Sequence, residues 1–347
     1  MKKAVHAEDL RRFASDALGA VGCSRGEADA VADALVDADL RGLHSHGVLR
    51  LPVYLAGVRG GGIVPDARMR WLDEQGSTAL LSAASGFGQT AMQLATERAI
   101  DLVASHGAAS VGVVHSTHFG IGARWAERLT ATGAVGIIVS NTGPCVAPFG
   151  SREPLLGTNP IALAIPTSGA PIVLDMATSE AAYGRIVGAR MAGQTIPDTW
   201  AVDVDGRPTT DPEAALGGAL LPFGGHKGSG IATVLEAMVG VMTGANLSHE
   251  ITDIWGDPTS QMGTGHLVLA FRPLIPLAQA TSRADELVRV IGGSAPAADH
   301  DRVLLPGQRE QERASASAHD GIALPDGLEE QLLQVAHDTG VPRLQVR

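Results

Sequence analysis

Two histidines and two arginines fall within RGLHSHGVLRL, residues 41–51, in a chain of which only 18% is charged. His46 and Arg50 stand four positions apart, so a helix or turn puts both on one side with Cβ atoms about 5–6 Å apart. An arginine guanidinium grips a carboxylate through two parallel hydrogen bonds. An imidazole titrating near neutrality passes a proton to or from an adjacent oxygen. A 2-hydroxy or 2-oxo acid offers both groups on neighbouring carbons. Ser45 can orient the imidazole or complete a proton relay. The competing reading is structural, since a histidine at a helix exit also caps the last carbonyls.

Two further stretches bear on the same chemistry. HSTHFG, residues 115–120, puts His118 at the end of an apolar run and just before Gly120 and Gly122, where a strand turns into a helix and N–H groups face anions. FGGHKGSG, residues 223–230, is a glycine-rich approach to a helix start; glycines let the backbone close on a ligand, and Lys227 adds a point charge for phosphate or a hydroxyl. The pairs His44/His46 and His115/His118 also admit a zinc reading, which would make the chain a metal-dependent hydrolase. No neighbouring pattern supplies a third ligand, and the expectation is no metal. SGFGQTA, residues 85–91, matches the G-x-G-x-x-A dinucleotide fingerprint. That motif wants an acidic residue about 20 positions later, where this chain has His115, Ser116, Thr117 and His118. The turn is expected not to touch a pyrophosphate.

Periodicity shows what holds these residues. Leu10, Phe13, Ala14, Ala17, Leu18 and Val21 recur at helical spacing over 7–22. Ser24 and Glu27 read as a capping box opening a second helix that turns Ala28, Val31, Ala32, Leu35 and Val36 inward and ends near Gly42. HSHG therefore sits at a helix exit. Beyond RGGGIVPD the runs STALLSA, SVGVVHS, AVGIIVS, PIALAIP and APIVLDM read as strands, alternating with helices over 88–105, 120–132 and 229–244. The chain divides into a helical part, 1–72, which carries Ser-His-Gly; an α/β body, 73–305; and a C-terminal segment, 306–347, placed to pack on the helical part.

Composition bounds the function. With 347 residues and 45% hydrophobic content the chain can bury a substantial core. A net charge of −11 without a Lys/Arg block argues against nucleic acid. No stretch approaches the roughly 18 apolar residues of a membrane span, and no apolar run follows the charged N-terminus, so no membrane partner or export is expected. Cys23 and Cys145, in unrelated contexts, suit a reducing cytoplasm and no disulfide framework.

Taken in order, DADLRGLHSHGVLRLPVYL, HSTHFGIGARWAE, IIVSNTGPCVAPFGSREPLLGTNPIALAIPT, IVLDMATSEAAYGRI, IPDTWAVDVDGRPTTDP and FGGHKGSGIATVLEAM span most of the chain. Together they resemble the malate/L-lactate dehydrogenase family of the second, non-Rossmann type, which also holds sulfolactate and ureidoglycolate dehydrogenases and cyclic imino-acid reductases. The resemblance implies an NAD- or NADP-binding α/β body with a mixed sheet, a helical N-terminal part and a homodimer or higher homo-oligomer. It implies hydride transfer between nicotinamide and C2 of a small 2-hydroxy or 2-oxo acid, or reduction of a cyclic imino acid. On matching positions, Ser45 and His46 become the proton relay and acid/base, Arg50 the carboxylate clamp, and His118 a residue beside nicotinamide and substrate that carries the proton in some branches. Phe119, Gly120, Gly122, Ser140, Asn159, Asp175, Met176, Ala177, Thr178, His226, Lys227 and Gly307 line the cofactor site. Two departures, His44 for a common Asp and Val53 for a frequent basic residue, bear on the choice of substrate.

Overall fold

The computed structural model describes residues 4–345; the charged start, residues 1–3, lies outside them. Strand β1 (Ala4–Val5) precedes helices α1 (Ala7–Gly19), α2 (Arg25–Leu40) and α3 (Leu51–Gly60). The body runs β2 (Arg70–Gln75), β3 (Thr78–Ser82), α4 (Gly88–His106), β4 (Ala108–Ser116), α5 (Gly122–Thr130), β5 (Val135–Ser140), β6 (Ile161–Ile165), β7 (Ile172–Met176), α6 (Tyr183–Met191), β8 (Ala201–Val202), α7 (Pro212–Gly217), β9 (Ala219–Leu220), α8 (His226–Glu236) and β10 (Thr264–Phe271). Helices α9 (Leu277–Gly292), α10 (Gln308–Asp320) and α11 (Leu328–Thr339) follow, with β11 (Ile322–Ala323) between the last two.

The main sheet has seven strands in the order β2-β3-β4-β10-β5-β6-β7. Only β3 and β4 run parallel, joined through α4; every other neighbour is antiparallel. This is a mixed sheet and not the 3-2-1-4-5-6 order of a Rossmann fold. The inner strands read as unbroken apolar runs because both faces are covered. Ile138, Ala162, Ala164 and Val268 point to α4 and α5, while Val139 and Leu267, one residue out of phase, meet Leu235 and Val239 on α8 and the π turn that ends it. The five runs read as strands are β3 to β7. Two strands of this sheet escape that reading: β2, whose residues are largely exposed, and the central β10.

A second core belongs to the helices. Leu10, Phe13, Leu18, Val31, Leu35 and Tyr54 share it with Leu328, Leu332 and Val335 of α11. Strand β1 pairs antiparallel with β11, Val5 opposite Ile322. The C-terminal segment thus returns to the N-terminal helices, a long-range closure that periodicity does not encode.

The capping box at Ser24 is only half realised. Ser24 accepts from Glu27 N–H at 3.4 Å, but the Glu27 carboxylate takes the Asp66 N–H at 2.7 Å, and Asp66 takes the Ser24 N–H at 2.8 Å. A tertiary partner has displaced the local one.

Candidate active site

The 41–51 stretch does not form one helical turn. It forms two single 3-10 turns, His44–His46 and Val48–Arg50, hinged at an extended Gly47 (φ −89°, ψ −154°). The hinge is built by Asp39, in the last turn of α2 and 1% exposed. Its carboxylate accepts Val48 N–H at 2.8 Å and lies 2.8 Å from His44 Nδ1. A Cβ on Gly47 would lie 2.2 Å from that carboxylate, so the glycine is required by the hook. His44 spends its Nδ1 on Asp39, and Val53 packs on the helical core.

His46 and Arg50 still converge. Ser45 Oγ lies 2.9 Å from His46 Nδ1, and Arg50 Nε donates to Ser45 O at 2.6 Å. The guanidinium stacks 4.4 Å above Trp255, whose edge meets the His118 ring at 5.4 Å. His118 comes from the turn between β4 and α5, and its ring centre is 5.5 Å from that of His46. Gln89 Nε2 donates to Tyr54 OH at 2.8 Å, and the same hydroxyl lies 2.6 Å from His118 Nδ1. The two imidazoles are therefore held alike: Nδ1 is tied to a protein hydroxyl, and among the described residues Nε2 has no partner.

Electrostatics keep both rings neutral. Burial, with the Arg50 charge adding to it, pushes His46 down to about 4. Burial first, then His46, Arg50 and His266, pushes His118 well below its ordinary value. Removing a cation from water costs most where no counter-charge replaces the solvent. A neutral imidazole is a base toward an alcohol. It becomes an acid toward a carbonyl when a substrate carboxylate supplies the missing charge.

Of the remaining predicted residues, those at the ends of β5 and β7 lie at one end of the sheet, because the register sets Ser116 opposite Thr264, Ser140 opposite His266 and Ile161 opposite Met176, whereas Gly307 packs on Val173 near the other end. They divide into two groups. Ser140, Asn159 and Thr178 are buried and bonded internally: Ser140 Oγ to Gly265 O at 3.0 Å, Asn159 Nδ2 to Glu236 at 2.7 Å, Thr178 Oγ1 to Thr158 O at 2.9 Å. Phe119, also buried, stacks on His266 at 4.7 Å. The second group meets open space. Asp175 and Gly307 line a cleft with Arg41, Leu43, Ala123 and Val173. Asp175 Oδ2 accepts Ala123 N–H at 2.8 Å, and burial raises the acid to about 6. Gly122 approaches Ala162 so closely that a Cβ would lie 2.7 Å away. Gly120 (φ +87°) is buried with nothing within 4 Å of where a Cβ would stand, Met176 and Ala177 are half-buried, and His226 and Lys227 are exposed at the N-terminus of α8.

Sequence reasoning did not name Asp39, Tyr54, Gln89, Trp255 or His266. For Asp39 a signal existed: it continues the inward stripe Val31–Leu35 at the same spacing, an acid on a buried face. For Trp255, on an irregular loop, there was none. The zinc reading is not sustained, because His44 turns to Asp39 and His115 to Ser82 at 3.1 Å. The SGFGQTA glycines serve the chain itself: a Cβ on Gly88 would lie 2.4 Å from Thr117 O and 2.6 Å from His118 O.

Comparison with known proteins agrees with this geometry. Residues 5–333 match the malate/L-lactate dehydrogenase family. The (2R)-3-sulfolactate dehydrogenase (NADP(+)) of Chromohalobacter salexigens is 39% identical over 79% of this chain and 82% of its own. The Delta(1)-pyrroline-2-carboxylate/Delta(1)-piperideine-2-carboxylate reductase of Pseudomonas putida is 36% identical over 90% and 92%. The solved structure of the Methanocaldococcus jannaschii sulfolactate dehydrogenase superposes with a TM-score of 0.91 at 34% identity, covering 97% of this chain and 98% of that one. With its fold, its paired imidazoles and the guanidinium stacked beside them in hand, the chain belongs to the malate/L-lactate dehydrogenase family.

Proposed function

We propose that the cleft of His46, His118 and Arg50 is the centre of an NAD(P)-dependent oxidoreductase acting between C2 of a small 2-hydroxy acid and its 2-oxo form. Membership of the family carries the reaction class and a cofactor that is NAD or NADP. The observation that carries the site is the convergence of two neutral imidazoles, each with Nε2 unpartnered, beside a guanidinium stacked on Trp255. Arg50 holds the substrate carboxylate. His46, steadied by Ser45, gives or takes the proton of the C2 oxygen, and His118, steadied by Tyr54, lies on the nicotinamide side.

The cleft between β7, α5 and the C-terminal segment suits a dinucleotide. One Asp175 oxygen is engaged by Ala123 N–H, which leaves acceptor capacity toward the space it lines, as a ribose hydroxyl requires. Gly307 (φ +80°) passes Val173 with no room for a side chain. From Met176 the chain leads through Thr178, which accepts Phe223 N–H at 3.0 Å, to the start of α8. There, N–H groups and Lys227 fit a pyrophosphate. The bound nicotinamide supplies or accepts the hydride, and the protein supplies orientation and proton transfer.

The chain acts as a homodimer or higher homo-oligomer in this reading, supported by exposed Val234, Val241, Met242, Leu287, Val290 and Ile291. Its divisions are 1–72, 73–305 and 306–347, supported by the shared core of the terminal helices. Two unpaired thiols, Cys23 and Cys145, suit the cytoplasm. The test is absorbance at the reduced-nicotinamide band with purified protein, NADH or NADPH, and a panel of 2-oxo acids and cyclic imines. Turnover that disappears in Arg50→Ala through a raised KM supports the clamp; an unchanged KM refutes it.

A further inference from the structure

The carboxylate of Asp39 is poorly placed for stability. It sits in the last turn of α2, the end at which the helix dipole disfavours an anion, and its side chain is 0% exposed. Among the described residues no lysine or arginine pairs with it, and His44 Nδ1 at 2.8 Å is its one ring partner. A buried acid so placed costs folding free energy. What it holds is the chain on both sides of Ser45 and His46: Oδ1 faces His44, and Oδ2 accepts Val48 N–H. Its own base is fixed from elsewhere. Two residues on, Arg41 donates to both Glu127 oxygens on α5 at 2.7 Å, and Gly42 (φ +73°) lies against Arg313 of α10. Gly47 has φ −89°, open to any residue. The three atoms nearest its missing Cβ are Cγ, Oδ1 and Oδ2 of Asp39, all too close for a real contact. The carboxylate is what makes glycine obligatory there.

We infer that Asp39 is a positioning residue of the hydride-transfer site, acting through Gly47 to set where His46 and Arg50 stand relative to each other. His46 precedes the hinge and Arg50 follows it, so one carboxylate fixes the angle between the two turns and with it both side chains. Its loss displaces the proton-transfer group and the carboxylate clamp together. A shift of about 1 Å at a reacting centre costs on the order of 10²-fold in rate, which is reason for the fold to keep an acid where an apolar residue would stabilise it more. This inference rests on the proposed hydride-transfer reading for what His46 and Arg50 do, and on hydrogen bonds and packing alone for the hook.

The experiment is a double-mutant cycle on Asp39→Ala and Gly47→Ala, with Asp39→Asn as the conservative variant and Val31→Ala, in the core face of the same helix, as the control. The readouts are kcat and KM for a 2-oxo acid that the wild type reduces, Kd for NADH or NADPH, the denaturation midpoint, and Trp255 emission taken as the difference from Trp255→Phe. Asp39→Ala and Gly47→Ala should each lower kcat on the order of 10²-fold and raise KM about tenfold, the worth of one charge-assisted hydrogen bond, with cofactor Kd unchanged. A Cβ at position 47 fills the space that the carboxylate leaves, so the double variant should be no worse than Asp39→Ala alone. Asp39→Asn, whose amide accepts from Val48 N–H and donates to His44, should recover most of the loss. Val31→Ala should lower the midpoint and leave kcat and KM alone. Additive losses in the double variant, a cofactor Kd that weakens in step, or a control that loses kcat alike overturns the inference and leaves Asp39 a structural residue. Should Asp39→Ala not fold, unchanged kcat and KM in Gly47→Ala overturns it equally. If the wild type turns over no compound, the hydride-transfer reading fails and Trp255, under the Arg50 guanidinium, decides on the hook alone: emission shifted in the hook variants but not in Val31→Ala sustains it, and unmoved emission overturns it.

Discussion

Two strand-to-helix turns in this protein share one grammar and do opposite things. SGFGQTA leads from β3 into α4, and HFGIGA leads from β4 into α5. The first is buried at Gly86, Gly88 and Gln89, and its helix start is served from within: Gly88 N–H donates to Thr117 Oγ1 at 3.1 Å, and Thr117 Oγ1 donates to Gly86 O at 3.0 Å. The second, buried as well, leaves free the space beside Gly120 where a Cβ would stand and brings the His118 ring to that of His46. The first turn is a socket for the second. Its glycines permit close approach, as the fingerprint says, but the approaching group is the backbone of His118 and not a phosphate. A G-x-G motif reports room for a neighbour and leaves the neighbour unnamed.

Substitutions in the two turns should break different properties. The largest effect belongs to the imidazoles of the cleft. A positioned acid or base contributes roughly 10²–10⁴ in rate, so His46→Ala should lower kcat by that factor with reduced-cofactor binding nearly unchanged. His118→Ala, in the second turn, tests the competing assignment. Near-normal turnover in His46→Ala beside its loss in His118→Ala would move the proton to His118. In the first turn, Gly88→Ala should act on stability instead, costing on the order of 1–3 kcal/mol or more because backbone oxygens must shift. Denaturant unfolding measures it; unchanged stability with lost activity would mean that the socket description is wrong.

A third test concerns what lies beneath the second turn. His266, 1% exposed, stacks under Phe119 with Nδ1 2.8 Å from Ser140 Oγ and Nε2 2.9 Å from Ser116 Oγ. Burial pushes it down to about 4 from an ordinary 6.5. Between those values the unfolded chain holds the proton that the folded chain refuses, so stability rises with pH across pH 4 to 6.5 and is flat above. One such group contributes a slope of at most about 1.4 kcal/mol per pH unit. Unfolding free energies measured across this range should show the slope, and His266→Gln should reduce it; an unaltered slope would place the titration elsewhere.

The smallest effect is expected from Tyr54→Phe, which removes one hydroxyl between Gln89 and His118. A single hydrogen bond is worth roughly 0.5–1.5 kcal/mol net. The loss should appear as a several-fold drop in kcat/KM larger than any drop in thermal stability, since the bond orients a ring already packed against Trp255. A variant with lower stability and normal kcat/KM would make Tyr54 a core residue only.

Much of the candidate site was legible because chemistry is carried by residue type. His46, Arg50 and His118 are unusual in a chain so poor in charge, and each follows a helix or strand that periodicity reveals. How His46 and Arg50 are brought to one side was not legible. A four-residue spacing assumes one continuous turn, whereas Asp39 bends the stretch at Gly47. The missed residues share a different cause. Tyr54 looks like one more apolar position of α3, and its hydroxyl acquires a role only when α4 brings Gln89 and β4 brings His118 to it. Trp255 sits in a loop without period and gains meaning from Arg50 alone.

What the sequence by itself determined is local: helices and strands with their buried faces, glycines where close approach is needed, and an imidazole near a guanidinium, residue types whose chemistry suits proton transfer and carboxylate capture. Local periods carry that information, since each element satisfies its own hydrogen bonds and marks its inner face. The tertiary structure alone decided the order of the seven strands, the return of α11 to the N-terminal helices and the partner that each polar group finds. It set Glu27 on Asp66 and not on Ser24, and His118 against Gly88 where a phosphate was the alternative. Those choices depend on packing between residues far apart in the chain, where several partners are chemically acceptable and only the folded arrangement brings one within reach.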